Sequence, residues 1–339
     1  MGGRKRIRTA VAAFAELSLA TRPSDHFGTA NVEKFCFFTT KIEKMSDNFL
    51  TPIAESELIV TPKGHIYHLD LPQGVLPGTV FTVGDPDRVG EVSKYFDKVT
   101  HKAQHREFVT HIGTIGNQGV ACISTGIGPD NIDIVMNELD ALVNVDFKTR
   151  CVREQKTALN IIRLGTCGGL QPDVPVDSFI VSSHGIGLDN LLHFYKPVYN
   201  PDESFILGSF VRHTKLESGL IQPYIAESAV SLRKYFINGY VHGITVTCPG
   251  FYGPQGRVLR GKIAYPGLID SLTGFRYQDL RVTNFEMETS ALYGLGRILG
   301  HKCLSISTIV ANRAAKTFSK DAGKSVDTMI KKSLDAMFG

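Results

Sequence analysis

The chain has no tryptophan, and its six cysteines (Cys36, Cys122, Cys151, Cys167, Cys248 and Cys303) show neither Cys-x-x-Cys spacing nor a paired rhythm. That excludes a zinc ribbon or a secreted disulfide framework as the organising element. No Asn-x-Ser/Thr acceptor occurs, in keeping with a reducing, cytoplasmic setting. No uninterrupted apolar run approaches the ~18–20 residues of a transmembrane helix. Excess charge of one sign is scarce too: 37 Lys+Arg face 33 Asp+Glu, a formal net charge of +4. Residues 1–44 carry eight basic and four acidic side chains, which leaves 29 of each over residues 45–339. A neutral body lacks the general footprint that nucleic acid requires. Neither nucleic acid nor a membrane is an expected partner.

What is present is unevenly spread. Residues 1–44 open on Gly2-Gly3-Arg4-Lys5-Arg6 and run into an Ala-rich stretch, Thr9–Ala20. Glu16 interrupts the apolar core that a signal peptide needs, and serine is sparse for a transit peptide. Arg6 stands where N-myristoylation wants Ser or Thr. The segment is expected to be a disordered or non-native extension, with Met45 as an alternative start and residues 45–339 as the domain.

Within that domain, apolar runs alternate with helical patterns, as in an α/β sheet. Candidate strands are Val80–Val83, Val120–Ser124, Ile161–Leu164, Ser178–Ser182, His242–Cys248 and Cys303–Val310. Candidate helices are Asp87–Phe96, Asn131–Val143, Glu227–Phe236, Met287–Leu299 and Val326–Phe338. The last places Val326, Met329, Ile330 and Leu334 near helical spacing, which suits a helix docked on the core. The first three strands are each expected to end in a glycine-containing turn: Gly84-Asp85-Pro86, Thr125–Gly128 and Gly165–Gly169. With no long linker or internal repeat, one α/β domain is expected.

Two motifs mislead. Gly323-Lys324-Ser325 resembles the end of a phosphate-binding P-loop, but Phe318 occupies the first glycine position. Gly294-Leu295-Gly296 lies inside a helical pattern rather than after a strand, so a nicotinamide dehydrogenase is weakly supported. The histidines have no metal-ligand spacing.

Each glycine turn has an arginine nearby: Arg88, Arg106 and Arg163. Strand ends of open α/β sheets are where ligands bind, and glycine N–H groups with guanidinium forks suit an oxyanion. Farther on, Phe251-x-x-x-Gln255-x-Arg257 brings together an aromatic face, an amide and a guanidinium. Gln255 could read an imide-like edge, and Arg257 could hold a carbonyl oxygen that becomes negative. Spacing alone leaves an ordinary glycine-rich loop equally open. At Asn284-Phe285-Glu286-Met287-Glu288, two carboxylates near a helix start suit either capping or the holding of vicinal sugar hydroxyls.

These segments resemble the nucleoside phosphorylase-I family, most closely its uridine phosphorylases. The similarity lies in Gly84-Asp85-Pro86-Asp87-Arg88, His105-Arg106-Glu107-Phe108, Ser124–Gly128, Arg163–Gly168, Phe251–Arg257, Phe285–Glu288 and Asn312-Arg313, in that order from about His68 onward. The resemblance implies a single domain with a mixed central β-sheet flanked by helices, a three-layer sandwich. It implies a pentosyltransferase in which inorganic phosphate, the co-substrate, displaces a base from ribose C1′ without an organic cofactor. Gly84, Arg88, Arg163 and Thr166 would hold phosphate, with Arg106 from a neighbouring subunit. Met287 and Glu288 would bind ribose, and a neighbour's His68 the 5′ hydroxyl. Phe251, Gln255 and Arg257 would receive the base, supported by Arg313.

The resemblance also implies a homodimer or a hexamer built as a trimer of dimers. A potassium ion is possible at the dimer interface near Glu107, Ile127 and Asn131, where Asn131 replaces a serine of some relatives. Purine-specific relatives have Ser-Asp after the last core strand; Ile309–Arg313 has no carboxylate there, which favours uridine over a purine or broad-specificity reading. Cys167 replaces a threonine, and Gly253-Pro254 is reversed in order. A silent nucleoside-binding relative is disfavoured by the retained arginines.

Overall fold

A computed structural model of the chain describes residues 51–216 and 221–339. The expectation for residues 1–44 lies outside the described residues, all of which belong to one compact unit, Asp47–Gly339. Its strands are β1 Thr79–Val83, β2 Lys98–His105, β3 Phe108–Ile115, β4 Gln118–Ser124, β5 Val145–Asp146, β6 Cys151–Val152, β7 Asn160–Gly169 and β8 Phe179–Gly187. They continue with β9 Tyr224–Glu227, β10 Val241–Thr247, β11 Arg276–Tyr277, β12 Leu280–Glu286, β13 Lys302–Asn312 and β14 Thr317–Phe318. The α-helices are α1 Pro86–Ser93, α2 Pro129–Asn144, α3 Pro201–Thr214, α4 Val230–Arg233, α5 Leu268–Gly274, α6 Thr289–Leu299 and α7 Ala322–Phe338.

The main sheet runs β11-β12-β10-β8-β13-β7-β1-β4-β3-β2, with β14 on β13 and β9 on β8. It is mixed: β4, β1, β7 and β13 are mutually parallel neighbours, whereas β13 meets β8 antiparallel. The end of β7 also pairs with β12 through Gly168 and Phe285, so β7, β13, β8, β10 and β12 close on themselves.

Alternation sends neighbouring side chains to opposite faces. On β4, Ala121 and Ile123 join one core cluster and Val120 and Cys122 the other. Helices α2 and α6 cover the first face through residues such as Ile132, Leu139, Ala291 and Leu295. Helices α1 and α7 cover the second through Val89, Val92, Met329 and Ile330. The expected helix–sheet–helix layering is therefore present. A third cluster, around Phe210, Leu272 and Phe285, seats α3 and α5 against β10 and β12.

Local chemistry explains the helix starts. Asp85 caps α1 by accepting from the Asp87 N–H at 3.0 Å, with Pro86 at the first helical position. Asn200 and Glu203 form a reciprocal capping box at α3. Among the described residues, no helix is long and apolar enough to cross a membrane.

Two local expectations are corrected. Glu227–Phe236 is not one helix: Tyr224–Glu227 pairs antiparallel with β8, and only Val230–Arg233 is helical. The strand continues because Ser228 and Ala229 donate backbone N–H bonds to Ser183 and Cys303 carbonyls. Gly165–Gly169 is not a turn either. It is the last half of β7, paired with β13 from Lys302 to Asn312, so the glycines there serve something other than chain reversal.

Candidate active site

The parallel strands β4, β1 and β7 deliver their C-terminal ends side by side, with Thr82 of β1 in register with both Ile123 and Arg163. After β1 comes Gly84, then α1 with Arg88 in its first turn; after β4 comes the Thr125–Gly128 turn, whose Gly126 and Gly128 have φ of 71° and 104°. Opposite them, β12 runs into α6, and that helix can lie close because β8 carries glycine where it passes. A Cβ on Gly185 would stand 2.7 Å from the Ser290 Cα. Between these elements is a cavity of about 840 Å³.

Gly84, Arg88, Arg163, Thr166, Met287, Glu288, Phe251, Gln255 and Arg257 all line it, together with Glu107, Ile127 and Asn131. Arg313 does not. It stands behind the Phe251–Arg257 loop, where its Nη1 donates to the Gln255 carbonyl at 3.0 Å. Arg106 and His68 also lie outside the lining. Arg106 is exposed on the two-residue β2–β3 turn, with a left-handed φ of 55°. His68 is anchored by Glu138: its Nδ1 is 2.6 Å from Oε1, and the same carboxylate accepts the His68 and Leu69 N–H groups.

The two carboxylates of β12–α6 separate into distinct jobs. Glu286 accepts N–H bonds from Glu288 and Thr289 and a hydroxyl bond from Thr247, which makes it the helix-start anchor. Glu288 instead reaches across to accept from the Gly128 N–H at 2.8 Å and from Arg163 Nη2. Arg163 Nη1 stands 3.5 Å from Glu286, an ion pair too long for a good hydrogen bond. Arg163 Nε and Nη1 are thus buried donors with no hydrogen-bond partner. Such groups are costly unless something accepts from them.

Charge is concentrated accordingly. Burial opposes the Arg163 charge, but Glu288 and Glu286 outweigh it and hold its pKa above the ordinary value. Arg88 is pushed down, by burial first and then by the Arg163 charge. Burial, reinforced by Glu286, lifts Glu288 above an ordinary carboxylate despite Arg163.

At the other end, Arg257 lies over Phe251, its guanidinium carbon 3.7 Å from the ring centroid, and donates to Gln255 Oε1. Burial and then Arg313 lower its pKa. Both arginines sit 5.9 Å from the Phe285 ring, which also lines the cavity. The sequence motif that contains Phe285 assigns it no role, Phe318 draws notice only as a break in a P-loop pattern, and Val310 and Ala311 only as part of a stretch without a carboxylate. What marks Phe285 in hindsight is Gly168: a Cβ there would come within 2.8 Å of the Phe285 ring.

Parallel strand ends carrying two arginines, joined to an amide–guanidinium loop with a carboxylate between them, form the candidate active site of an α/β protein. The chain belongs to the Phosphorylase superfamily, which it matches over residues 79–337. It is 29% identical over 270 residues to the uridine phosphorylase of Thermococcus kodakarensis, covering 78% of this chain and 83% of that one. A DeoD-type purine nucleoside phosphorylase of Bacillus cereus is 26% identical over 274 residues, covering 79% of this chain and 97% of the relative. Among solved structures, a Trypanosoma brucei nucleoside phosphorylase described as showing uridine phosphorylase activity superposes with a TM-score of 0.77 at 30% identity. That match covers 83% of this chain and 99% of that one.

Proposed function

We propose that the chain is a uridine phosphorylase: phosphate attacks ribose C1′, uracil leaves, and ribose 1-phosphate remains. The observation that carries this reading is Arg163, a buried guanidinium in the cavity wall with two unpartnered donors, facing the same space as Gln255 and Arg257. In the proposed mechanism Arg88 and Arg163, with Gly84 and Thr166, hold phosphate beneath C1′. Glu288 and Met287 hold the ribose, and Phe251, Gln255 and Arg257 receive uracil. Positive charge developing on the sugar is met by phosphate, and negative charge on the departing base by Arg257. Preorganised partners of this kind contribute several kcal/mol. Val310 and Ala311, where β13 meets the cavity, offer no acid to protonate a purine, which supports the pyrimidine choice.

The reading includes a homodimer or hexamer in which a neighbour's Arg106 and His68 complete each site. The exposure of Arg106 and the position of both residues outside the lining support this. A potassium ion would be held by Glu107, the Ile127 carbonyl and Asn131, oxygen donors of the kind hard cations take. Asn131 Nδ2 points at that carbonyl at 3.5 Å, so its amide would have to turn. Cytoplasmic pyrimidine salvage is the proposed setting.

The test is a nucleoside panel assayed with and without phosphate. Uracil release from uridine only in the presence of phosphate is expected. Release without phosphate indicates a nucleosidase, faster inosine turnover a purine enzyme, and binding without turnover a silent relative.

A further inference from the structure

We infer that Gly165 is a positioning residue for the anion-binding arginine: the volume its missing side chain vacates is where the Arg163 guanidinium lies. The inference rests on the proposed phosphate role of Arg163.

Residues two apart on a strand share a face, so Arg163 and Gly165 project to the same side of β7. Strand side chains ordinarily stand away from the sheet. Arg163 instead lies forward along its own strand. A Cβ on Gly165 would come 1.7 Å from Nη1, 2.7 Å from Cζ and 3.2 Å from Nη2, and these are its three nearest atoms. The glycine is not demanded by the backbone. Gly165 is not among the positive-φ residues, and it sits in regular register opposite Ser307 of β13. An alanine would therefore fit the strand and collide only with the guanidinium.

The slot has a second side. Nη2 is fastened to Glu288 and Nη1 faces Glu286, so the group is pinned between a bare stretch of strand and two carboxylates. In that posture Nε and Nη1 have no hydrogen-bond partner, on a side chain that lines the cavity. A methyl group at 165 forces the guanidinium to lift by more than 1 Å or to leave Glu288. A displacement of this size costs about 10²-fold in a site that works by orientation.

The experiment is a double-mutant cycle on the full chain with Gly165→Ala and Arg163→Gln. Glutamine ends at the position of Nε, short of the guanidinium carbon, and leaves room for the methyl. Gly165→Ala is expected to keep the wild-type circular dichroism and to lower kcat/KM for phosphate about 10²-fold. Adding Gly165→Ala to Arg163→Gln is expected to cost less than about threefold, since contacting residues couple. Wild-type phosphate kinetics in Gly165→Ala, or an equal loss in both backgrounds, overturns the inference. If Gly165→Ala misfolds, rescue of folding by Arg163→Gln supports the collision, and failure of rescue overturns it. Unchanged phosphate dependence in Arg163→Gln alone overturns the anion-site reading instead.

Discussion

The two ends of the cavity hold similar charges on dissimilar supports. At the proposed phosphate end Arg163 is 5% exposed, sits on a strand paired on both sides, and is matched by two carboxylates that are themselves buried. At the proposed base end Phe251 and Tyr252 are 51% and 54% exposed, and the loop that carries them is held by Arg313 and its own turn hydrogen bonds. Among the described residues, neither Arg257 nor Arg313 pairs with a carboxylate, so their charge remains available to a base that turns negative. A buried central strand suits the step every phosphorolysis shares, whereas an exposed loop suits the choice of base.

The largest expected effect comes from the rigid end. Arg163→Ala removes the unpartnered donors and leaves Glu286 and Glu288 without their cation. Phosphate-dependent turnover should fall roughly 10²–10³-fold, as when one preorganised donor is lost. The loss should be equal for uridine and for any other nucleoside the enzyme accepts, since the phosphate end does not read the base. Initial-rate kinetics on two nucleosides check this, and unequal losses would break the division between the ends.

Gln255→Ala probes the other end. Gln255 is 3% exposed and accepts from Arg257, so its loss removes a charge-assisted hydrogen bond worth about 1.5–3 kcal/mol. The expected loss in kcat/KM for uridine is roughly tenfold to a hundredfold, with KM for phosphate unchanged. An equal loss for every nucleoside would count against a base-reading role.

Between the ends, Glu288 links the two through pH. Its pKa stands above the ordinary 4.5, chiefly from burial and further from Glu286. A raised carboxylate pKa means that the proton returns earlier as pH falls, and a protonated Glu288 presents an O–H donor where a carboxylate oxygen would accept from a ribose hydroxyl. At saturating phosphate, kcat/KM for uridine should therefore decline on acidification at a pH above that of an ordinary glutamate. The limb should vanish in Glu288→Gln; persistence there would assign it to another group.

The contrast between the ends also explains what the sequence disclosed. Strand and helix periodicity placed β1, β4, β7, β8, β10 and β13, because each is buried on both faces and reads as an apolar run. The β2–β3 hairpin was missed because β2 alternates exposed and half-buried positions with few apolar residues. Glycines after β1 and β4 announced real turns. Those in β7 gave the same letter for a different reason, the passage of Arg163 and Phe285 over the strand. Side-chain trajectories of that kind depend on tertiary neighbours and leave no local pattern. The division of labour between Glu286 and Glu288 was illegible for the same reason, since it depends on Thr247 and Gly128, both distant in sequence.

The smallest expected effect sharpens the comparison most. Phe251 belongs to the proposed base site, yet half its surface is open and Arg257 already lies over its ring. If the loop is an adjustable platform, replacing Phe251 removes a stacking surface worth about 0.5–1.5 kcal/mol beyond simple burial. Phe251→Ala should then weaken uridine binding by roughly twofold to tenfold, mainly as a rise in KM, with kcat nearly unchanged. Arg257 would lose its stacking partner but keep its bond to Gln255, so charge stabilisation of the leaving base would survive. A collapse of kcat instead would mean that the ring fixes Arg257 in place. The base end would then be as preorganised as the phosphate end, and the distinction between the two would fail.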